Sequence, residues 1–88
     1  MELEWDEDKR RRTLRERGLD FADVARVAWE HALTLEDTRR VYGETRYITY
    51  APLAGRLCVI GWCYRGDVMR VFSLRKANSR EVRKHEQG

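Results

Sequence analysis

The sequence predicts an α+β fold: a small antiparallel β-sheet of three to four strands, two N-terminal helices packed on it, and a short C-terminal helix. Three observations carry this expectation. Helical signals are confined to the N-terminal part of the chain and to its C-terminal end. Between them lie runs rich in β-branched and aromatic residues, RYITY (46–50), RLCVIGWCY (56–64) and VMRVFSLR (68–75). The stretches joining those runs, PLAG (52–55) and RGD (65–67), are short and have turn chemistry, so successive strands return antiparallel. Two helices laid on one face of such a meander is a standard α+β solution to burying one side of a sheet.

Taken in order, LEW (3–5) is too short to define an element alone. Asp6 is a good N-cap, and Glu7 and Asp8 sit where the positive end of a helix dipole favours acids. A helix over 6–17 follows, and Gly18 stops it. Its apolar content is essentially Trp5 and Leu14, so tertiary contacts must hold it. Lys9, Thr13 and Arg17 recur every fourth residue and share one stripe. Asp20 then caps a second helix in which Phe21, Val24, Ala25 and Ala28 form a core-facing pattern. ALTLED (32–37) reads as a strand and TRRVYGE (38–44) as an exposed connection. After the three strands, Asn78 and Glu81 make a capping-box N-x-x-E ahead of a short polar helix. There is no repeat, low-complexity tract or linker, and 88 residues fit one domain over 1–88.

Composition excludes several classes. The chain is 42% hydrophobic with three Trp, too apolar for a disordered segment even at 38% charged residues. No apolar run approaches the roughly 20 residues that span a bilayer. MELEWDEDK lacks the basic-then-apolar layout of a signal peptide, so the expected address is cytoplasmic, with no membrane partner. Cys58 and Cys63 are five apart in one strand and face opposite sides, which argues against a disulfide or a shared metal and reads them as two small, partly buried hydrophobes. His31 and His85 lack further ligands at zinc-binding spacing; no metal or other cofactor is expected. His31 reads as structural, and His85, four residues after Glu81 on the same helix face, reads as an exposed terminal histidine, with proton transfer as the alternative. RGD (65–67) is turn chemistry rather than an adhesion signal.

The net charge of +3 hides a segmented arrangement. Residues 1–8 hold five acids and no base, whereas 9–17 hold six bases against Glu16. Residues 18–44 are acidic, and 70–88 hold six bases against two acids. Such asymmetry suits one face meeting a polyanion. Along 68–75, strict alternation pairs Arg70 with Phe72 and Leu74, and Arg75 with Met69, Val71 and Ser73. The two arginines thus face opposite sides unless a bulge intervenes. Arg75 and Lys76, at the strand's end, are the better-placed pair for phosphate, which a guanidinium grips with two hydrogen bonds. The same cations also suit an ordinary solvated sheet edge.

Three blocks together resemble a known family: W-D-x-x-K-x(8)-G-x-x-F at Trp5, Asp6, Lys9, Gly18 and Phe21; E-D-x-R…G-E-x-R at Glu36, Asp37, Arg39, Gly43, Glu44 and Arg46; and R-G-x-x-x-R-x-x-S-x-R-x-A-x-x-x-E at Arg65, Gly66, Arg70, Ser73, Arg75, Ala77 and Glu81. They resemble the BrnT toxins of bacterial type II toxin–antitoxin modules. The resemblance implies a RelE-like fold and a metal-independent ribonuclease that halts growth. It also implies a BrnA-like antitoxin, dimeric and DNA-binding through a ribbon-helix-helix domain, with operator DNA met only through that antitoxin. This chain departs from the family pattern at Thr13, Glu16, Arg17, Ala51 and His85. Within this reading Arg75 is the phosphate clamp, supported by Arg70 and Arg65, with Lys9 joining from the first helix. Arg17, Lys76 and Arg80 hold the RNA backbone. A non-catalytic nucleic-acid-binding module, or a protein-interaction module with a basic face, is the alternative that the cations alone allow.

Overall fold

The sheet has five strands rather than three to four, and it is mixed rather than wholly antiparallel. In the computed structural model, which describes residues 2–87, the strands are β1 (Leu3–Glu4), β2 (Leu33–Glu36), β3 (Arg46–Leu53), β4 (Arg56–Arg65) and β5 (Val68–Lys76). Their spatial order is β1-β5-β4-β3-β2. β2, β3, β4 and β5 are successively antiparallel, and the two-residue turns between β3 and β4 and between β4 and β5 demand it there. β1 is the addition: it runs parallel to β5 through Leu3↔Met69 and Glu4↔Arg70. A two-residue strand carries no periodicity of its own and exists because β5 offers it an edge.

The first helix, α1 (Glu7–Arg17), forms where its caps predict. The Asp6 carboxylate accepts hydrogen bonds from the backbone N–H groups of Asp8 and Lys9, and Gly18 ends the helix at φ +69°. None of its residues is buried. It is held by Arg10, whose guanidinium forks onto Asp20 at 2.9 and 3.1 Å, and by Arg17, which donates to the Leu74 carbonyl at 2.9 Å. That carbonyl belongs to β5 beyond the short reach of β1, so α1 closes the edge that β1 leaves open.

The expected second α-helix is instead a pair of 3₁₀ segments, Phe21–Arg26 and Trp29–His31, with Asp20 capping the first. The burial pattern explains the difference. Phe21, Val24 and Val27 are buried while Ala25 is exposed, a spacing of three residues that matches the 3₁₀ repeat and not the α repeat. These side chains and Leu19 pack on Ala51, Leu53, Cys58, Ile60, Trp62, Met69, Val71 and Leu74 from one face of the sheet. Within that core, Trp62 Nε1–H donates to Thr49 Oγ1 at 2.8 Å and Thr34 Oγ1 sits 2.8 Å from the same oxygen, so the buried hydroxyl is satisfied.

One irregularity reorganises the other face. Gly61 pairs with Ser73 and Trp62 with Val71, leaving Phe72 as the extra residue of a β-bulge. Met69, Val71 and Leu74 can therefore all face the core. The strict-alternation expectation is overturned accordingly. Arg70 lies opposite Cys63 and Arg75 opposite Val59, positions four apart on β4, so both arginines project from the same open face. The second helix, α2 (Ser79–Glu86), lies toward the β2 side of this face. Lys84 and His85 of α2, with Glu81, line a cavity of about 140 Å³ against Leu33, Leu35 and Tyr50.

Candidate nucleic-acid interface

Where α1 runs along the β5 edge it leaves a groove of about 180 Å³ lined by Lys9, Arg12, Thr13, Glu16, Arg17, Phe72 and Ser73. The Lys9–Thr13–Arg17 stripe read from helical spacing is one wall, and the bulged segment of β5 is the other. Three cations against one carboxylate make this a place where an anion gains more than it loses.

On the open face the bulge places Phe72 beside Arg46 of β3. The Arg46 guanidinium lies 4.3 Å from the Tyr42 ring centroid and 4.7 Å from that of Phe72. Its Nε is buried with no hydrogen-bond partner; the Glu44 carboxylate is 3.7 Å away, too far for one. Arg46 and Arg70 flank Cys63 in one row across β3, β4 and β5. Arg65 projects from the same face and lies 3.7 Å from Glu44, while Arg70 is 3.6 Å from Glu4. These loose pairs balance charge without consuming the donors, so a phosphate can replace them.

The loop before Arg46 is built to fix Tyr42. Asp37, whose side chain is only 6% exposed, accepts a two-pronged hydrogen bond from Arg39 at 2.8 Å each, the Arg39 backbone N–H, and the Tyr42 hydroxyl at 2.9 Å. The Arg39 hydrogen bonds hold the Asp37 carboxyl well below the usual carboxylate range. The Asp37–Arg39 part of the sequence block is thus a loop brace.

Arg75 occupies a different position from the rest. Its Nη1 and Nη2 each donate to one Glu81 oxygen at 2.8 Å. Glu81 also accepts from the Asn78 backbone N–H at 2.9 Å and returns its own N–H to Asn78 Oδ1, the capping box that N-x-x-E predicts. Arg75 pulls the Glu81 carboxyl down to about 2, and Glu81 raises Arg75 in turn. The strand-end cation therefore ties α2 to the sheet, its fork already filled.

The structure brings Lys9 and Arg17 together in the α1 groove, and Arg65, Arg70 and Arg75 onto one face. Lys76, opposite Cys58, has the parity of the core face and is exposed beyond its rim, away from Arg75. Arg80 is exposed on α2. His85 lines the cavity under α2 and His31 is exposed at the end of the second 3₁₀ segment, so neither lines the α1 groove. Cys58 and Cys63 are both buried and free, on opposite faces as their spacing predicts, and burial raises both thiols. Among the described residues no group of three His, Cys, Asp or Glu is placed to share a metal ion, and no helix is long and apolar enough to cross a membrane. Sequence reasoning assigned no site role to Arg46, Tyr42 or Phe72. The available signal was Gly61 inside a strand pattern, which marks bulges and close approaches.

A family model described as the ribonuclease toxin, BrnT, of type II toxin–antitoxin systems matches residues 5–81, nearly the whole chain. No curated protein matches it.

Proposed function

The chain belongs to the BrnT family of ribonuclease toxins of type II toxin–antitoxin systems, and on that premise we propose that it cuts RNA without a metal ion, on the α1 groove and the adjoining open face. Cleavage of this kind requires the ribose 2′-hydroxyl to lose its proton, the crowded phosphate to be stabilised, and the departing 5′-oxygen to be protonated. Fixed cations around the phosphate supply the second requirement, and each such donor is worth roughly 10²–10³ in rate. Lys9 reaches the phosphate from α1, with Arg70 and Arg65 opposing it from the sheet. Arg75 joins them by exchanging Glu81 for phosphate. Arg17, Lys76 and Arg80 track the flanking backbone, where contacts position the strand rather than react.

The observation that carries this reading is the bulge: it turns Arg70 and Arg75 to one side and sets Phe72 and Ser73 against the Lys9–Thr13–Arg17 stripe. Incubating the purified protein with RNA, with and without EDTA, tests it. Cleavage that persists in EDTA, and falls at least tenfold in Lys9→Ala and Arg70→Ala, is expected. Loss of cleavage with EDTA would assign the chemistry to a metal, and binding without cleavage would leave a nucleic-acid-binding module. The antitoxin partner is proposed to be BrnA-like, to be dimeric, and to carry the operator DNA contact itself. Toxicity on expression, relieved by the neighbouring reading frame, is the expected result, and toxicity unaffected by it would remove that partner.

A further inference from the structure

We propose that Phe72 is a stacking platform for one base of a single-stranded RNA segment, with Arg46 and Tyr42 as its support. The proposal rests on the ribonuclease reading and adds the form of the substrate. Phe72 is an unusual aromatic: by regular alternation β5 would use this position within a simple two-faced pattern, but the bulge makes it the unpaired residue of the ladder. Its ring then lies where cations are dense. Lys9, Arg12 and Arg17 share a groove with it, and the Arg46 guanidinium covers it at 4.7 Å. Alternating aromatic faces and cations is how proteins hold single-stranded nucleic acid, the cations following the backbone while bases stack on rings.

Two features indicate that this arrangement is held in place. A Cβ added at Gly61 would lie 2.9 Å from Phe72 Cε1, so Phe72 rests against the sheet in space that only glycine leaves. Behind it, Arg46 is stacked also on Tyr42 at 4.3 Å, and Tyr42 is fixed through Asp37 to Arg39. The chain thus runs from a braced loop through two stacked groups to the wall of the groove. Arg46 Nε is buried without a hydrogen-bond partner and its carboxylate neighbour Glu44 stands 3.7 Å away, while the guanidinium lies against the two rings at 4.3 and 4.7 Å. A duplex keeps its bases stacked inside and offers nothing to such a ring, which selects single strands.

The experiment uses a short 2′-O-methyl oligoribonucleotide carrying one 2-aminopurine, so that binding is read without cleavage. The full-length protein should quench the 2-aminopurine emission on binding, and the same oligonucleotide in a duplex should bind at least tenfold more weakly. Phe72→Leu should lose the quenching and about tenfold or more in affinity, with an unchanged slope of log affinity against log salt, because no cation is removed. Arg46→Lys keeps the charge and the Phe72 ring but removes the planar stack, and should lose part of the quenching; it reads the same contact if Phe72→Leu fails to fold. Full quenching and affinity in both variants, or equal affinity for duplex, would overturn the stacking site while leaving RNA binding standing. A wild-type protein that cleaves no RNA and binds neither strand form would overturn the ribonuclease reading itself.

Discussion

Glu81→Gln separates the two tasks that Arg75 performs. The glutamine carbonyl oxygen can still accept from the Asn78 N–H, so the helix cap survives while the ion pair is lost. The size of the effect follows from the structure. Glu81 titrates at about 2 against its ordinary 4.5, a difference whose upper bound is about 3 kcal/mol. The Arg75 side chain is 40% exposed, and solvent screening reduces this to about 1–2 kcal/mol. In a domain of this size that corresponds to a fall in Tm of roughly 4–16 °C. RNA binding should move the other way. Without the carboxylate the Arg75 fork is no longer held against exchange for phosphate, so affinity for single strands should rise by about tenfold at an unchanged log–log salt slope. Thermal unfolding and binding isotherms at several salt concentrations check the two halves, with Arg75→Ala as the reference that loses both. A Glu81→Gln protein that is less stable but binds single strands no more tightly would show that Arg75 only ties α2 down. One as stable as the parent would show that the Arg75–Glu81 fork contributes nothing.

Three further outcomes are expected. Because the Glu81 carboxyl is depressed, its contribution is complete above pH 4.5 and is lost as pH falls toward about 2; acid unfolding followed by circular dichroism should show this window, and Glu81→Gln should flatten it. Gly61→Ala should destabilise by about 1–3 kcal/mol in urea denaturation and weaken single-strand binding together, because the new methyl group meets Phe72 at 2.9 Å and Ser73 at 3.1 Å. Trp62→Phe removes the hydrogen bond to buried Thr49 as well as ring volume, and should lower stability by about 2 kcal/mol, seen as a lower urea midpoint with an unchanged m value.

How much of this was legible in the sequence depends on the range over which each signal acts. The α1 caps, the Asn78–Glu81 capping box, the strands β3 to β5 and the separation of the two cysteines are set by residues a few positions apart, and they stand where spacing put them. β1 was not legible, because its only cause is the β5 edge beside it. The second helix was misread for a subtler reason: Phe21, Val24 and Val27 fit a 3₁₀ repeat, while Ala25 and Ala28 add matches to an α pattern without needing burial. Arg75 was correctly placed at a strand end, yet its partner Glu81 was read only as half of a cap, although one carboxylate serves both.

The site itself turns on the bulge, and that is where local reading fails by a whole face. Strict alternation put Arg70 and Arg75 on opposite sides; one extra residue on β5 puts them on the same side. Two residues account for that. Gly61 leaves the space in which Phe72 lies, since a Cβ there would meet Phe72 Cε1 at 2.9 Å, and in that place the Phe72 ring lies 4.7 Å from the Arg46 guanidinium. Arg46 and Arg65 take the open face from the β3–β4 pairing alone, so what rests on the bulge, and on Gly61 beneath Phe72, is that Arg70 and Arg75 join them on one side. Substitution at Gly61 is accordingly a sharper probe of the interface than removal of either Arg70 or Arg75, since each can be lost singly but the bulge sets the face on which the two meet.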